Sequence, residues 1–398
     1  METSELLEVL SSEGLRLLDS LEPYNSSLNV VKTVNDLRKA GHSPARVAAV
    51  LSQARLRSKA TAKFGAFAER MLFTEAGLEQ ATRLSVAARH ADRFRQAGIE
   101  HVTDLGCGIG ADALALAALE LAVTAVERDE VTSAIAAYNL APWENATVVT
   151  ADATEVTIDS GTKTGGAYLD PARRTTGHSN TSRLRNPNDF SPSLDFAFAL
   201  GEKIPTGIKL GPGVDRTLIP ADAEAQWISI DREVVELGLW FGSVARPGVR
   251  RAALVIGDHG TAELTAPADS ADVATGTLGE FVYEPDGAVI RARLIGDLAR
   301  ELDAAMLSDG IAYLTAPTLA ATPFARAFRV VETLPFDERR LKKVLAERGI
   351  GSLEIKKRGV DLDPAQLRKR LALKGSNSAT LIVTRVAGRH TALLVERV

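Results

Sequence analysis

The sequence predicts an α/β protein built on a doubly wound, largely parallel sheet, with a helical region before it and a small α+β domain after it. Three observations carry this prediction. From about His101 to Gly257, short apolar strands alternate with helical stretches, the signature of parallel strands joined by crossover helices. Residues 1–95 instead place apolar side chains at helical spacing and contain no β-branched runs. From Arg326 onward the order is strand, helix, strand, helix and hairpin. A chain of 398 residues is too long for one typical domain. Boundaries are expected at 1–95 (helical region), 96–258 (core), 259–325 (linker) and 326–398 (α+β domain).

In the helical region, VNDLRKAGHSPARVAAVLSQARL and TRLSVAARHADRF keep an apolar face, and Pro44 and Gly65 mark breaks between helices. METSELLEVLSSEGLRLL carries acids early and no basic segment, so it reads as an amphipathic helix and not as a signal peptide. In the core, HVTDL, AVTAVE, ATVVTADA and GAYLDPA read as four strands, with ADALALAALE and VTSAIAAYNLA as helices between them. A helix (DFAFALGEKI), two strands (GIKLG and QWISID), a helix (EVVELGLWFGS) and a strand (RAALVIG) complete it. Residues 257–280, rich in Ala, Thr, Gly and Asp, suggest a poorly packed hairpin or linker. The last block reads as a strand (AFRVVETLPF), a helix (DERRLKKVLAERG), a strand (GSLEIKKRG), a helix with Pro364 in its first turn, and a closing hairpin (ATLIVTRVAG with RHTALLVERV).

Composition is that of an ordinary globular chain, 45% hydrophobic and 25% charged. The single cysteine excludes an intramolecular disulfide and suits a reducing, cytoplasmic setting. No apolar run reaches the roughly 18 residues that a membrane span needs, so no membrane is expected as a partner. The net charge of −4 hides an asymmetry. Residues 326–398 hold 17 Lys and Arg against 8 Asp and Glu, a balance of +9 that leaves −13 for residues 1–325. A basic block on an acidic body points either to a polyanionic partner or to a surface that docks on that body.

The stretch Asp104-Leu105-Gly106-Cys107-Gly108-Ile109-Gly110 ends one strand and opens a helix. Its three glycines bring bare backbone amides to a helix N-terminus, where a polar ligand can approach closely. Dinucleotide-binding turns space their glycines as GxGxxG. Here Gly108 and Gly110 are two apart, and Asp104 stands two residues before Gly106. This DxGxGxG form resembles motif I of the class I S-adenosylmethionine-dependent methyltransferases. The resemblance implies that the turn accepts the methionine end of S-adenosyl-L-methionine.

Three further acids fall in register with successive strands. Glu127 ends the second strand, where a carboxylate accepts hydrogen bonds from both ribose hydroxyls. Asp152 follows the third strand and can accept the adenine amino group, with Ala153 leaving room for the ring. Asp170-Pro171-Ala172-Arg173 ends the fourth strand, at the carboxyl edge where open α/β sheets bind ligands. Taken singly, Glu127 or Asp152 reads equally as a helix-capping or solvated carboxylate. Between Phe73 and Thr82 lies a stretch that is either a polar turn or a segment closing over the cofactor, with Gln80 and Thr82 reaching its carboxylate.

At the reacting end, methyl transfer is an in-line displacement and much of its catalysis is positioning. Asp170, Pro171 and Arg173 are the candidate catalytic residues. Base-amino methyltransferases follow Asp/Asn-Pro with Pro and an aromatic that stacks on the flipped base. Ala172 and Arg173 stand here instead, which argues against exocyclic-amine chemistry. Carbon-5 pyrimidine methylation needs a cysteine nucleophile, and Cys107 belongs to the cofactor turn. The loop from Arg173 to Ser193 offers Arg174, Arg183 and Arg185 to a phosphate backbone and His178 as a proton acceptor, or is a solvated loop. No cluster has metal-ligand spacing, so no metal is expected.

Residues 70–256 thus resemble the class I methyltransferase core. The C-terminal block resembles the THUMP-like domain found behind such cores in bacterial proteins, through FDERRLKKVL, LEIKKRG, RKRLALKGS and the final hairpin. Tyr283-Glu284-Pro285-Asp286-Gly287-Ala288-Val289-Ile290-Arg291 is similar to a joining element of that family. THUMP domains bind RNA, so the resemblance implies RNA, either tRNA or rRNA, as partner and substrate, with Arg339, Arg340, Lys342 and Lys343 as contacts. The alternatives are a methyltransferase for a small molecule or protein that uses its basic domain to oligomerise, and a non-catalytic RNA-binding protein on the same scaffold. Oligomeric state is not legible from the sequence.

Overall fold

The computed structural model describes residues 1–21, 30–158, 164–173, 190–258 and 260–398. The chain divides into two compact units, Met1–Ala223 with Leu239–Ala245, and Glu224–Gly238 with Arg246–Val398.

The first unit opens on helices α1 (Thr3–Leu10), α2 (Ser12–Ser20), α3 (Val30–Lys39) and α4 (Pro44–Phe64). Local chemistry sets the ends of α4. Ser43 accepts a hydrogen bond from the Arg46 amide, Pro44 occupies the first turn, and Gly65 ends the helix at φ +56°. Leu6, Val9, Leu17 and Leu18 join Val50 and Leu56 in one core. Each such burial stabilises by roughly 1.5–3 kcal/mol. Past α4, Met71, Leu72 and Phe73 run extended and buried. Two side-chain amides pair with this backbone as a neighbouring strand would. Gln53 exchanges two bonds with Phe73 (2.7 and 3.0 Å), and Asn139 exchanges two with Leu72 (2.8 and 3.0 Å).

Helices α5 (Glu75–Gln80) and α6 (Leu84–Gln96) lead into the sheet. Strands β1 (His101–Leu105), β2 (Ala122–Glu127), β3 (Ala146–Thr150), β4 (Gly165–Leu169) and β5 (Thr206–Leu210) lie in the order β5-β4-β1-β2-β3. Helices α7 (Ala111–Ala118), α8 (Glu130–Leu140) and α9 (Leu194–Gly201) alternate with them. The four pairings among these five strands are all parallel, as the sequence predicts. Strand order reverses beside β1, so the carboxyl ends of β1 and β4 form a switch point, with Asp104 opposite Tyr168 in register. The returning segment Leu239–Ala245 adds Trp240, whose ring lies 5.7 Å from that of His90 and 6.2 Å from that of Phe94, with the Arg93 guanidinium 4.8 Å from its centroid.

In the second unit, β6 (Glu224–Ile230) pairs in parallel with β8 (Arg251–Gly257), which pairs antiparallel with β9 (Gly260–Ala266). Between β6 and β8 in the chain comes β7 (Glu233–Phe241), the stretch EVVELGLWFGS expected as a helix. Asp231 and Arg232 take φ +48° and +73°, a tight turn that returns the chain as a strand. The apolar run that follows is buried on both faces, so its side chains show no alternation and mimic a helical pattern.

Of the stretch 259–325 expected as a linker, residues 260–325 are largely structured and contribute strands to a second sheet. Strands β10 (Phe281–Pro285), β11 (Ala305–Met306), β12 (Leu314–Ala316), β13 (Ala325–Pro335), β14 (Ile350–Lys357), β15 (Asn377–Val386) and β16 (Arg389–Arg397) follow the order β11-β12-β10-β13-β16-β15-β14. Helices α10 (Gly287–Arg291), α11 (Ile295–Glu301), α12 (Glu338–Glu347) and α13 (Pro364–Leu371) accompany them. The Tyr283–Arg291 element now has a physical role. Tyr283 donates to Thr318 O and accepts from the Ala320 amide, Glu284 pairs with Lys356 at 2.9 Å, and its carbonyl accepts from Arg232 at 2.9 Å. Asp286 caps α10 by accepting from the Ala288 amide.

One buried ion network stands out in this unit. Glu224 is fully buried and accepts two bonds from the Arg246 guanidinium (2.6 and 3.0 Å) and one from the Arg246 amide, while Arg246 also reaches Glu263. Removing the arginine would strand a carboxylate in a dry place. We expect Arg246→Met to destabilise this unit by roughly 3–5 kcal/mol, seen as a lower denaturant midpoint; an unchanged midpoint would show that Glu224 finds another partner.

Candidate functional site at the carboxyl edge of the parallel sheet

The glycine turn begins where β1 ends. Gly106, Gly108 and Gly110 have φ of +87°, +56° and +84°, a region that side-chain-bearing residues rarely adopt. The amides of Gly106 and Cys107 donate to Val126 O at the neighbouring strand end (2.8 and 2.9 Å). Gly110 stands at the N-cap of α7. A Cβ built on Gly106 or Gly108 meets no heavy atom within 4 Å, so conformation alone demands glycine there.

Asp104, just before the turn, is buried, and neither carboxyl oxygen makes a hydrogen bond of good geometry, the Ala113 backbone being the one nearby group that favours its charged form. Burial pushes its pKa well up, and the negative charges of Asp112, Asp170 and Glu127 push the same way. An orphaned carboxyl of this kind costs stability and calls for a donor from outside the chain. Burial likewise pushes the Cys107 thiol up, reinforced by Asp104 and Glu127, which keeps it a poor nucleophile.

Glu127 is half-buried, and its carboxylate accepts from the Gly108 amide (3.1 Å) and the Asp129 amide (2.9 Å). The acid after β2 is therefore held against the glycine turn. Asp152 accepts from the Thr154 amide and hydroxyl (2.9 and 2.6 Å), and Ala153 is buried beside it.

The stretch from Phe73 to Thr82 is fastened to the same place. Gly77 of α5 lies so close to the turn that a Cβ would meet Ile109 Cγ2 at 2.6 Å, and Asn139 also donates to Ile109 O at 2.9 Å. The Lys63 ammonium donates to the carbonyls of Leu78, Glu79 and Ala81 (2.8, 2.7 and 2.8 Å), capping the C-terminal end of α5. Burial, with Lys209 and Arg83 nearby, lowers its pKa to about 8. Gln80 is exposed. Thr82 is buried, and its hydroxyl donates to Asp112 at 2.6 Å, so its polar atom is engaged inside the protein.

Asp112 belongs to a buried network that the sequence reading missed. Its other oxygen lies 2.8 Å from His90 Nδ1, which is 2.9 Å from the Tyr168 hydroxyl. Burial raises the Asp112 pKa, but the bond and charge of His90, aided by Lys209 and Thr82, outweigh it and hold the carboxyl below its ordinary value. At the end of β4, Asp170 is half-buried and pairs with Lys209 of β5 at 2.5 Å. Lys209 had a legible signal, as the one charged residue of the strand TGIKL. His90, Asp112 and Tyr168 meet only through the fold.

Arg174, His178, Arg183 and Arg185 lie outside the described residues, and of Arg173 only the backbone is described, in a two-residue ribbon pairing Ala172–Arg173 with Phe190–Ser191. Among the described residues no group of three or more His, Cys, Asp or Glu side chains could hold a metal ion, and no helix is long and apolar enough to cross a membrane.

A Rossmann-like sheet of this order, with a glycine turn after β1 and acids at the ends of β2 and β4, defines the class I methyltransferase scaffold. The comparisons agree. An uncharacterized S-adenosylmethionine-dependent methyltransferase of Mycobacterium tuberculosis, present in strains CDC 1551 / Oshkosh and H37Rv, is 33% identical over 340 residues, which cover 83% of this chain and 90% of that protein. This chain belongs to the S-adenosylmethionine-dependent methyltransferases. A crystal structure from Porphyromonas gingivalis W83, described as a candidate methyltransferase, shares the fold with a TM-score of 0.75 at 21% identity, covering 100% of this chain and 99% of that one. Residues 325–397 match the family described as THUMP domain-like, and residues 2–60 match a domain of unknown function. The protein is an enzyme, and S-adenosylmethionine is its cofactor. The orphaned Asp104 carboxyl and the open glycine turn fit such a ligand.

Asp104 gives this fit a thermodynamic signature. A carboxyl whose folded pKa is raised costs stability above its unfolded value near 4 and costs nothing below it. Asp104→Asn should therefore stabilise the ligand-free protein at neutral pH by about 1–3 kcal/mol, the gain fading toward pH 4, while calorimetry shows weaker S-adenosylmethionine binding. A neutral-pH melting temperature that falls in the variant would refute the stored cost.

Proposed function

We propose that this enzyme methylates RNA, either tRNA or rRNA, with residues 96–258 as the catalytic core and residues 326–398 as the RNA-docking domain. The observation that carries the reading is the basic surface of the THUMP-like domain. Arg339, Arg340, Lys342 and Lys343 of α12 are all exposed, and among the described residues the first three have no salt-bridge partner. Lys369 adds another exposed cation on α13. Beside α12 lies a cleft of about 410 Å³ with Lys342 and Lys374 at its wall, apolar sides from Ile350 and Leu371, and the backbone of Gly349 and Gly375. Cations beside apolar walls suit a phosphate with its attached base.

In this reading, the amides of Gly106, Cys107, Gly108 and Gly110 and the Asp104 carboxyl receive the methionine end of the cofactor, and Gln80 lies at the mouth. Glu127 receives the ribose hydroxyls, and Asp152 with Ala153 the adenine. Thr82 acts through Asp112. Bound S-adenosylmethionine supplies an electrophilic methyl group on a sulfonium. Asp170 takes the proton of the acceptor, Pro171 sets the chain direction after it, and Arg173, Arg174, Arg183 and Arg185 contact the RNA backbone.

Two measurements test this. Reversing Arg339, Arg340, Lys342 and Lys343 to Glu should weaken binding to bulk tRNA or rRNA by at least about tenfold and flatten its salt dependence, with cofactor affinity unchanged. RNA binding that is equal in both proteins removes α12 from the interface. Mass spectrometry of nucleosides from cells with and without the gene should reveal one lost methylated nucleoside, and identical RNA profiles would refute the substrate assignment.

A further inference from the structure

We propose that Lys209 is a positioning residue for methyl transfer, holding the Asp170 carboxylate ionised and oriented at the sheet edge through the 2.5 Å bond from its ammonium. The proposal rests on Asp170 standing at the reacting end, as argued above.

Three observations support it. The first is register. Leu169 of β4 pairs with Ile208 of β5, so Asp170 and Lys209 are the next residues on adjacent parallel strands, both at the carboxyl edge. Their meeting is built into the sheet and needs no loop. The second is burial. The Lys209 side chain is only 12% exposed, on a strand otherwise made of Thr, Gly, Ile and Leu. An ammonium is kept in such a place only when it is paired.

The third is the crowd of charges. Asp104 on β1, Asp112 on α7 and Glu127 on β2 share this edge with Asp170, and the charge of Asp170 is felt at Asp104. On the cationic side, His90 of α6 serves Asp112, and Lys63 of α4 spends its hydrogen bonds on three carbonyls. Lys209 is felt at both Asp112 and Lys63, and its ion pair is with Asp170. Removing its charge leaves Asp170 beside these acids with one cation fewer, which disfavours its ionised form. A protonated Asp170 cannot take a proton from the acceptor. The Lys209 bond also occupies Oδ2, which fixes the carboxylate plane.

A purely structural strut would look similar in a static structure, so the test separates charge from shape. In the full-length protein labelled with ¹³C-aspartate, the Asp170 carboxyl signal is assigned by its loss in Asp170→Asn. Lys209→Met, and Lys209→Gln as a polar variant without charge, should raise the Asp170 titration midpoint by about 1–3 units, while Lys209→Arg leaves it near the wild-type value. S-adenosylmethionine affinity by calorimetry should stay within about threefold in all three. With total RNA from cells lacking the gene as acceptor and tritiated cofactor as donor, Lys209→Met should lower kcat at neutral pH by at least about tenfold. Its acid limb should move up by the same shift, with activity recovering at higher pH and in Lys209→Arg.

An Asp170 midpoint that does not move in the uncharged variants overturns the proposal. So does a loss of activity that neither alkaline pH nor arginine restores. If the wild-type enzyme transfers nothing to this RNA, the substrate reading fails by itself, and the carboxyl titration still decides the role of Lys209.

Discussion

The carboxamide of Asn139 ties the approach to the site to the site itself. From the last turns of α8 it bonds to both backbone groups of Leu72 and to the carbonyl of Ile109 inside the glycine turn. These backbone groups are buried, and leaving one unmet costs about 1–3 kcal/mol. The bonds fix where the chain enters α5, which fixes the contact of Gly77 on Ile109 and, a few residues on, the bond from Thr82 to Asp112. The helical region is thereby fastened against the glycine turn. Its match to a separate family over residues 2–60 does not make it a detachable appendage.

The second organising fact is electrostatic. Four acids, Asp104, Asp112, Glu127 and Asp170, gather where β1, β2, β4 and α7 meet, and each is handled differently. Asp112 has a histidine and a hydroxyl, Glu127 has two backbone amides, and Asp170 has a lysine. Asp104 has only the nearby Ala113 backbone, at no good hydrogen-bond geometry. That gradation separates groups serving architecture from the group left unmet by the chain. Satisfied charges hold their neighbours in place, while an unsatisfied one stores free energy that a ligand can release.

Most of the scaffold was legible because local signals agreed with the tertiary outcome. HVTDL, AVTAVE and GAYLDPA are short apolar runs bounded by glycine turns or helices, and the acids at their ends lie in the expected order. The misreading of EVVELGLWFGS arose because a strand buried on both faces loses the alternation that marks strands, and Asp231-Arg232 is not a common turn pair. Residues 259–325 misled through their small and polar composition, although Phe281–Pro285 forms an interior strand of the second sheet. The spacing of Asp104 and Glu127 relative to the glycines is readable in the sequence, and the structure places both beside that turn. The partnership of His90, Asp112 and Tyr168 is not readable there, because it joins residues up to 78 positions apart that only the packing of α6 and α7 beside β4 brings together. Thr82, expected to reach the cofactor's carboxylate, is instead buried with its hydroxyl donating to Asp112.

The Lys63 cap has a further meaning. Helix α5 has six residues, too few to persist on its own. Its end is held by one ammonium shared among three carbonyls, and that ammonium sheds its proton at about pH 8. A neutral amine has two hydrogens to share instead of three. The grip on the end of α5 is therefore expected to weaken on the alkaline side, where one of the three bonds loses its hydrogen. Its latch lies on α4, well back in the chain, so the grip on α5 is set by a residue that has no need to touch the ligand.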